Sequence, residues 1–247
     1  MVTANRKKLA QRAIHCFLKQ TYPNKELVII DDGEEDYSNL LTDIPKKDVT
    51  YLKLEKNADA VLGKLRNIAL ETAKGDFLIQ WDDDDWYHPE RIQIQADYLQ
   101  QGYDACCLSS SLMHLDDPEY LNLPFIGKLP DGIPGSIMHI KNDQIRYPEY
   151  KKAEDTVYLK DWMKLSYGKL TEEYAYLFIR CYHGTNTWEK AHFKRRIKNS
   201  FPKWLAFNWY KYVVRDLSAH PKFKLDNVTS DAFKDYITTS KEFGLID

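Results

Sequence analysis

The chain is short of most features that assign a protein to a class at sight. Its four cysteines, Cys16, Cys106, Cys107 and Cys181, show no CxxC spacing. That argues against a zinc ribbon or a paired redox motif, and the adjacent Cys106 and Cys107, on one strand, would point to opposite faces. Reduced, partly buried thiols are expected. No run of about 18 apolar residues occurs, so no membrane-spanning helix is predicted, and the opening MVTANRKKLAQ lacks the apolar core of a secretion signal. A cytoplasmic protein is therefore expected. An excess of one charge is missing as well: 35 Lys and Arg face 37 Asp and Glu, a net charge of -2. A domain that holds nucleic acid through bulk charge carries a clear basic surplus, so no nucleic-acid partner is expected. Internal repeats and low-complexity segments are also lacking.

What the chain does have is a hydrophobic fraction of 43%, enough for a core, and a regular change of pattern. Lys7 to Lys19 places Leu9, Ala13, Ile14, Phe17 and Leu18 at helical spacing ahead of Pro23. ELVII, residues 26 to 30, is a short apolar run that passes directly into Asp31-Asp32-Gly33. VTYLKL (49 to 54) predicts a strand, Leu62 to Ala73 a helix closed by Gly75, and DFLIQW (76 to 81) a strand delivering Asp82 to Asp85. Pro89 suits a first helical turn, Ile92, Ala96 and Leu99 share a face, Gly102 ends that helix, and YDACCL (103 to 108) is the next strand.

Strands alternating with helices imply βαβ units, hence an α/β, Rossmann-like fold with a mostly parallel sheet flanked by helices. Such sheets bind ligands outside the carboxyl ends of their strands, where both acidic clusters fall. Asp32 and Asp84 are therefore expected to share one cleft. From 109 to 150 the pattern weakens into a stretch holding Pro124, Pro130, Pro134 and Pro148, which predicts an irregular functional region. After Trp188 basic residues from Lys190 to Lys203, Lys198 among them, interleave with Phe193, Phe201, Trp204, Phe207, Trp209, Tyr210 and Tyr212. This basic-aromatic, helical extension (189 to 247) has three readings: a cap on the core, a surface for the acceptor, or peripheral contact with the inner face of a membrane.

The stretch QWDDDDWYHPERI (80 to 92) crowds four aspartates between tryptophans. A solvated loop would tolerate them, but a buried strand before them and aromatic flanks would partly desolvate the carboxylates and raise the cost of their repulsion. A divalent cation relieves it, and oxygen ligands select a hard ion, Mn²⁺ or Mg²⁺. With few ligands in reach, such an ion is completed by water and substrate phosphates.

RKKLAQRAIHCFLKQTYPNKELVIIDDG followed by LGKLRNIALETAKGDFLIQWDDDDWYHPERI resembles the nucleotide-binding half of glycosyltransferase family 2, enzymes of the GT-A fold, over residues 1 to about 110. The resemblance implies a GT-A domain at 1 to 188, with a nucleotide-binding half (1 to 110) and an acceptor half (111 to 188). It implies that Asp32 accepts a hydrogen bond from the base, which for uracil is its ring N–H. Asp82, Asp83 and Asp84 would form the DXD motif, with Asp84 on the metal and Asp82 near the ribose. Arg66 of LRN would face the diphosphate, although a helix-surface salt bridge is its bland alternative. Family members open on an apolar strand ending in Pro-Thr-aromatic-Asn-Arg; here MVTANR keeps Thr3, Asn5 and Arg6, of which Thr3 and Asn5 are expected on the nucleotide side, and has Ala4 where the aromatic residue would flank the base.

In the second half, Asp155 of AEDTVYL resembles the catalytic base of the family's xED motif, beside Glu154 on the acceptor side. Gly135 and Ser136 of IPGSIMH stand where the acceptor loop belongs, and His183 of YHGTNTW where a late histidine reaches the metal or diphosphate; alone, His183 would pass for a structural histidine. The implied activity is an inverting, metal-dependent glycosyltransferase of hexosyltransferase type. It would move a sugar from a nucleoside diphosphate sugar, UDP expected, to a hydroxyl of a glycan, a lipid-linked sugar or a protein, for glycan or polysaccharide synthesis. Asp155 would take the hydroxyl proton, helped by a pKa raised through burial and Glu154. Two rivals remain: a non-catalytic nucleotide- or sugar-binding module, and a nucleotide-sugar nucleotidyltransferase, which would show a Gly-rich phosphate loop where VTANRKK stands.

Overall fold

A computed structural model describes residues 1–55, 61–184, 190–197 and 201–246. The first half holds β1 (Val2–Thr3), α1 (Lys7–Leu18), β2 (Leu27–Asp31), β3 (Val49–Lys53), α2 (Leu62–Thr72), β4 (Phe77–Ile79), β5 (Trp86–Tyr87), α3 (Arg91–Leu99) and β6 (Ala105–Leu108). Then follow β7 (Ser110–Leu115), β8 (Phe125–Lys128), β9 (Met138–Ile140), α4 (Glu154–Trp162), β10 (Tyr167–Leu170), β11 (Phe178–Tyr182), α5 (Lys190–Arg195), α6 (Phe201–Asn208) and α7 (Asn227–Glu242).

Helical spacing buries Ala10, Ala13, Ile14 and Phe17 of α1 on one face. Every residue of β2 is buried, as a strand covered on both faces requires, and it pairs in parallel with β1 (Thr3 opposite Asp31) and with β3 (Asp31 opposite Lys53). The carboxyl ends of β1 and β2 thus open on the same side as the loop after β4. The adjacent cysteines of β6 do face opposite ways, Cys106 into the main core and Cys107 into a second cluster with Tyr158 and Trp162. All four cysteines are buried thiols.

Two further sheets run β10-β6-β9-β4 and β5-β11-β7-β8. The α/β class with parallel pairing is as expected, and antiparallel pairing enters with three short strands: of eight pairings among the described residues, the four antiparallel ones all involve β5, β8 or β9. Residues 109 to 150 therefore correct the expectation of an irregular region, since they carry β7, β8 and β9. β7, SSLMHL, is wholly buried, and its serines and histidine concealed a strand whose polar groups are satisfied inside: His114 meets Tyr236 Oη at 2.9 Å and Leu121 O at 2.7 Å.

The expected boundary near residue 188, with Trp188 itself, lies outside the described residues, as does Lys198. The extension is helical where described. Its α7 is capped by Asp226, whose Oδ1 accepts from the amide of Thr229 at 2.8 Å, and Ala232 and Tyr236 join the main core. Among the described residues no helix is long and apolar enough to cross a membrane. A cavity of about 720 Å³ lies between β2 and β4 against Phe17, Leu27, Val28, Phe77 and Met138, and Arg66 lines both it and the acidic cleft.

Candidate active site

The loop after β4 is held from beneath before any of its carboxylates is considered. Trp81, Trp86 and Tyr87 are 4%, 4% and 1% exposed, and Trp81 and Tyr87 lie with ring centroids 3.9 Å apart. Arg91, fully buried, stands 4.5 Å from the Tyr87 ring centroid and 5.1 Å from that of Phe178, and donates to Gln80 O at 3.1 Å. Arg12, on the buried face of α1, donates to the carbonyl of Asp84 at 2.7 Å and to Ser240 Oγ of α7 at 3.0 Å. The turn is thereby fixed between the first helix and the last.

Cations and hydrogen bonds offset the repulsion among the four aspartates. Asp82 pairs with Arg66 Nη2 at 2.9 Å and accepts from Gln80 Nε2 at 3.0 Å. Asp83, 1% exposed, accepts from Thr3 Oγ1 at 2.7 Å and pairs with Arg6 Nη2 at 2.7 Å. Burial still pushes Asp83 up to about 7, because desolvation and the neighbouring Asp84 outweigh that one guanidinium. Burial also opposes the charge of Asp84, yet a hydrogen bond from His183 and the guanidinium of Arg6 bring it down to about 2. Arg6 Nη1 is 3.2 Å and His183 Nε2 3.5 Å from its Oδ2. Burial, reinforced by Asp84, raises Asp85 well above the usual carboxylate range. Of Asp83, Asp84 and Asp85, Asp84 is thus the one the fold keeps ionised.

Asp31 and Asp32 divide their labour. Asp31, fully buried, accepts from Tyr51 Oη at 2.7 Å and Lys53 Nζ at 2.9 Å, which makes it structural. Asp32 is half-buried, and its carboxylate makes no hydrogen bond or ion pair among the described residues. Asn5, exposed and at φ 53°, accepts from the amides of Glu34 and Glu35 at 2.7 and 3.3 Å and so shapes the loop beside Asp32. Gly33 is required there, since a Cβ would sit 2.7 Å from the amide nitrogen of Asn5.

A polar cleft of about 120 Å³ joins the aspartates to Arg6, Arg66, Lys151, Lys152, Asp155 and Arg180. Ligand pockets usually hold ~300 Å³ or more, so these side chains must give way before a sugar nucleotide can enter. Asp155 lies half-buried in the first turn of α4, its Oδ1 accepting from the amide of Thr156 at 2.7 Å. Arg66 bridges the two motifs: it pairs with Asp82 and also, at 3.1 Å, with Glu154.

The structure therefore brings together Thr3, Arg66, Asp82, Asp83, Asp84 and His183, and opens their cleft on Asp155. Two acceptor-side expectations need correction. Ser136 is fully buried, its Oγ accepting from the amide of Leu108 at 2.9 Å and donating to Ile133 O at 2.7 Å, so it cannot meet an acceptor. Glu154 is 3% exposed and spends its carboxylate on Arg66; burial raises its pKa. Gly135 does border the cleft, a Cβ there standing 3.4 Å from Asp82 Oδ2. Arg6, Arg12, Arg91 and Arg180 carried no assignment in the sequence, and only Arg6 stood within a motif that could have flagged it.

Asp84 and His183 suit a hard or borderline divalent ion as one carboxylate and one imidazole on the same side. Among the described residues no group of three His, Cys, Asp or Glu converges to hold a metal. The remaining ligands would have to come from water or a bound diphosphate.

Residues 1–124 match the family model of glycosyl transferase family 2. WcaA of Escherichia coli, provisionally assigned as a colanic acid biosynthesis glycosyl transferase, is 35% identical over 104 residues, 41% of this chain and 37% of its own. The chain spans between 16% and 38% of the length of the first curated relatives it matches. Among solved structures, residues 1–349 of Staphylococcus aureus TarS in complex with UDP align at TM-score 0.58 and 17% identity, covering 98% of this chain and 78% of that one. The mannosyltransferase PcManGT of Pyrobaculum calidifontis, in complex with GDP-Man and Mn²⁺, aligns at 0.57 and 14%, covering 98% and 72%. At those identities the likeness is one of fold, the GT-A fold.

Proposed function

Because the chain belongs to glycosyl transferase family 2, we propose that its acidic cleft moves a sugar from a nucleoside diphosphate sugar to an acceptor hydroxyl, with inversion, in glycan or polysaccharide assembly. The observation that carries this reading is one small cleft joining an Asp84 held ionised, Asp155, which has no ion pair among the described residues, and the cations Arg6, Arg66 and Arg180. UDP is the proposed carrier: Asp32 keeps its carboxylate for the ring N–H of uracil, and the TarS structure of this fold holds UDP.

The acceptor oxygen attacks the anomeric carbon from the face opposite the diphosphate. A new C–O bond forms, the bond to the phosphate oxygen breaks with its electron pair staying on the diphosphate, and Asp155 receives the hydroxyl proton. Arg66 waits as a fixed cation between Asp82 and Glu154, so Glu154 serves to orient Arg66 toward the diphosphate charge. Arg6, released from Asp83 and Asp84 as the cleft fills, can turn to the same charge. Asp84 and His183 would hold Mn²⁺ or Mg²⁺, which supplies Lewis-acid stabilisation of the leaving diphosphate. Gly135 leaves room beside Asp82 for the sugar. The acceptor is a hydroxyl of a glycan, a lipid-linked sugar or a protein, and the proposed setting is the cytoplasm.

The test is Asp155→Asn, assayed for transfer and for the thermal shift produced by UDP or GDP with and without Mn²⁺. Transfer should fall by at least about 10²-fold, while the Mn²⁺-dependent shift with one nucleotide persists. Loss of that shift would make Asp155 structural; retained transfer would remove it from the chemistry. A wild-type chain that binds a nucleotide and neither transfers nor hydrolyses the sugar would be a binding module instead.

A further inference from the structure

Six of the twelve large hydrophobic side chains exposed in the described chain fall between residues 204 and 214. They sit on α6 and the wider, π-helical turn that continues it from Trp209 to Val214, closed by Arg215 at φ 60° and by the amide of Asp216 donating to Tyr210 O at 3.1 Å. Phe207, fully buried, fastens this rod to a cluster with Met113, Phe125 and Phe223. At helical spacing Leu205, Trp209, Tyr212 and Val213 fall on the half of the circumference turned away from Phe207, with Trp204 on its flank. Their exposures run from 48% for Trp204 to 66% for Tyr212. No charged residue interrupts that half.

The charge that the segment itself carries has one sign. From 190 to 215 the sequence holds eight Lys or Arg and no Asp or Glu, in a chain whose net charge is -2. Lys190 and Lys211 pair with Asp117 and Glu119 of the body, which pins the rod in place, whereas Arg195, Lys203 and Arg215 are exposed. A symmetric contact between two copies would set this basic segment against itself. An anionic lipid surface instead accepts both parts, aromatic and aliphatic side chains at headgroup depth and basic side chains among the phosphates.

We propose that the outer face of residues 203 to 215 binds the surface of an anionic lipid bilayer. The face does not depend on what the cleft transfers, so failure of either reading leaves the other standing. Phe193 of α5 lines the acidic cleft and belongs to the same cluster as Phe207. Docking would therefore hold the cleft close to the membrane.

The experiment is co-sedimentation of the whole chain with vesicles of phosphatidylcholine alone and with vesicles in which phosphatidylglycerol replaces part of it. Binding should be at least about tenfold stronger to the anionic vesicles and should weaken with salt. Trp209→Ser with Tyr212→Ser, and separately Lys203→Glu with Arg215→Glu, should each lower it by about tenfold or more, with thermal midpoints unchanged. Equal binding to both vesicles, no binding to either, or full binding by both variants would overturn the proposal. So would self-association that disappears in the Trp209→Ser, Tyr212→Ser chain, which would make the face a contact between copies.

Discussion

Residues 82–85 and 203–215 both place like charge beside aromatic rings, and they put most of those rings on opposite sides. Around the acidic run Trp81, Trp86 and Tyr87 are inside, and the carboxylates project into a cleft lined with guanidinium groups. Along the basic run Trp209 and Tyr212 are outside, and the charges spread over an open surface. Burial decides the consequence. In the first run desolvation raises Asp83 and Asp85, while His183 and Arg6 hold Asp84 ionised against it. In the second, screened charges at that exposure can act together on a surface and little on one another.

Removing the ionised group should produce the largest effect. Asp84→Asn keeps the shape of the side chain and deletes the charge that Arg6 and His183 hold in place. Turnover, followed as release of nucleoside diphosphate, should fall by at least about 10³-fold. A variant keeping most of its activity would dissolve the distinction drawn between Asp84 and its neighbours.

Next comes the floor beneath the acidic run. Trp86→Ala empties a 4% exposed site between β11 and α7 and should cost about 3–5 kcal/mol by denaturant unfolding. A cost below about 1 kcal/mol, ordinary for a surface site, would mean that the aromatic floor is not what holds the loop.

That floor also marks how far the sequence could be read. Apart from the two-residue strands β1 and β5, strand and helix order up to residue 108 was legible, because short apolar runs and helical spacing alternate there without interruption; the acidic run announced itself by its composition. Arg12 and Arg91 were not legible. Each lies in a helix where charge normally faces water, and only the folded chain shows Arg12 under Asp84 and Arg91 against Tyr87. Ser136 misled in the opposite sense, since a serine beside a glycine in a loop suggests contact with a ligand, whereas its hydroxyl serves Leu108 and Ile133. β7 was hidden for a related reason: its polar residues find partners inside, which periodicity cannot register. The tail looked uniform, yet α7 is core and α6 is surface, a split set by which rings meet Trp86 and His114.

His114 allows the two regions to be separated by acid. Burial brings its pKa down to about 4, against 6.5 for the free side chain, while it bonds Tyr236 of α7. The unfolded chain binds this proton first, so the contribution is complete above pH 6.5 and is lost as pH falls toward 4. The full loss is on the order of 3 kcal/mol. Hydrogen exchange between pH 7 and 4.5 should show α7 losing protection before β2, whose sheet carries no histidine, and equal loss in both would leave His114 without a special part in anchoring the tail.

The smallest expected effect is the most discriminating. Trp209→Ser with Tyr212→Ser removes two rings as large as those of the acidic floor, but these are 57% and 66% exposed. The folded chain already leaves most of their surface in water, so little transfer free energy is at stake and no cavity forms. Stability should change by less than about 0.5 kcal/mol, and Asp84-dependent turnover of a soluble acceptor should be unaltered. A loss approaching that of Trp86→Ala would show that the outer face is packed in solution, against another copy or against the chain itself, and the contrast between the two runs would then be one of degree. Unchanged stability leaves those rings with no structural duty, and aromatic side chains held in water by a rigid helix are then explained by what docks on them.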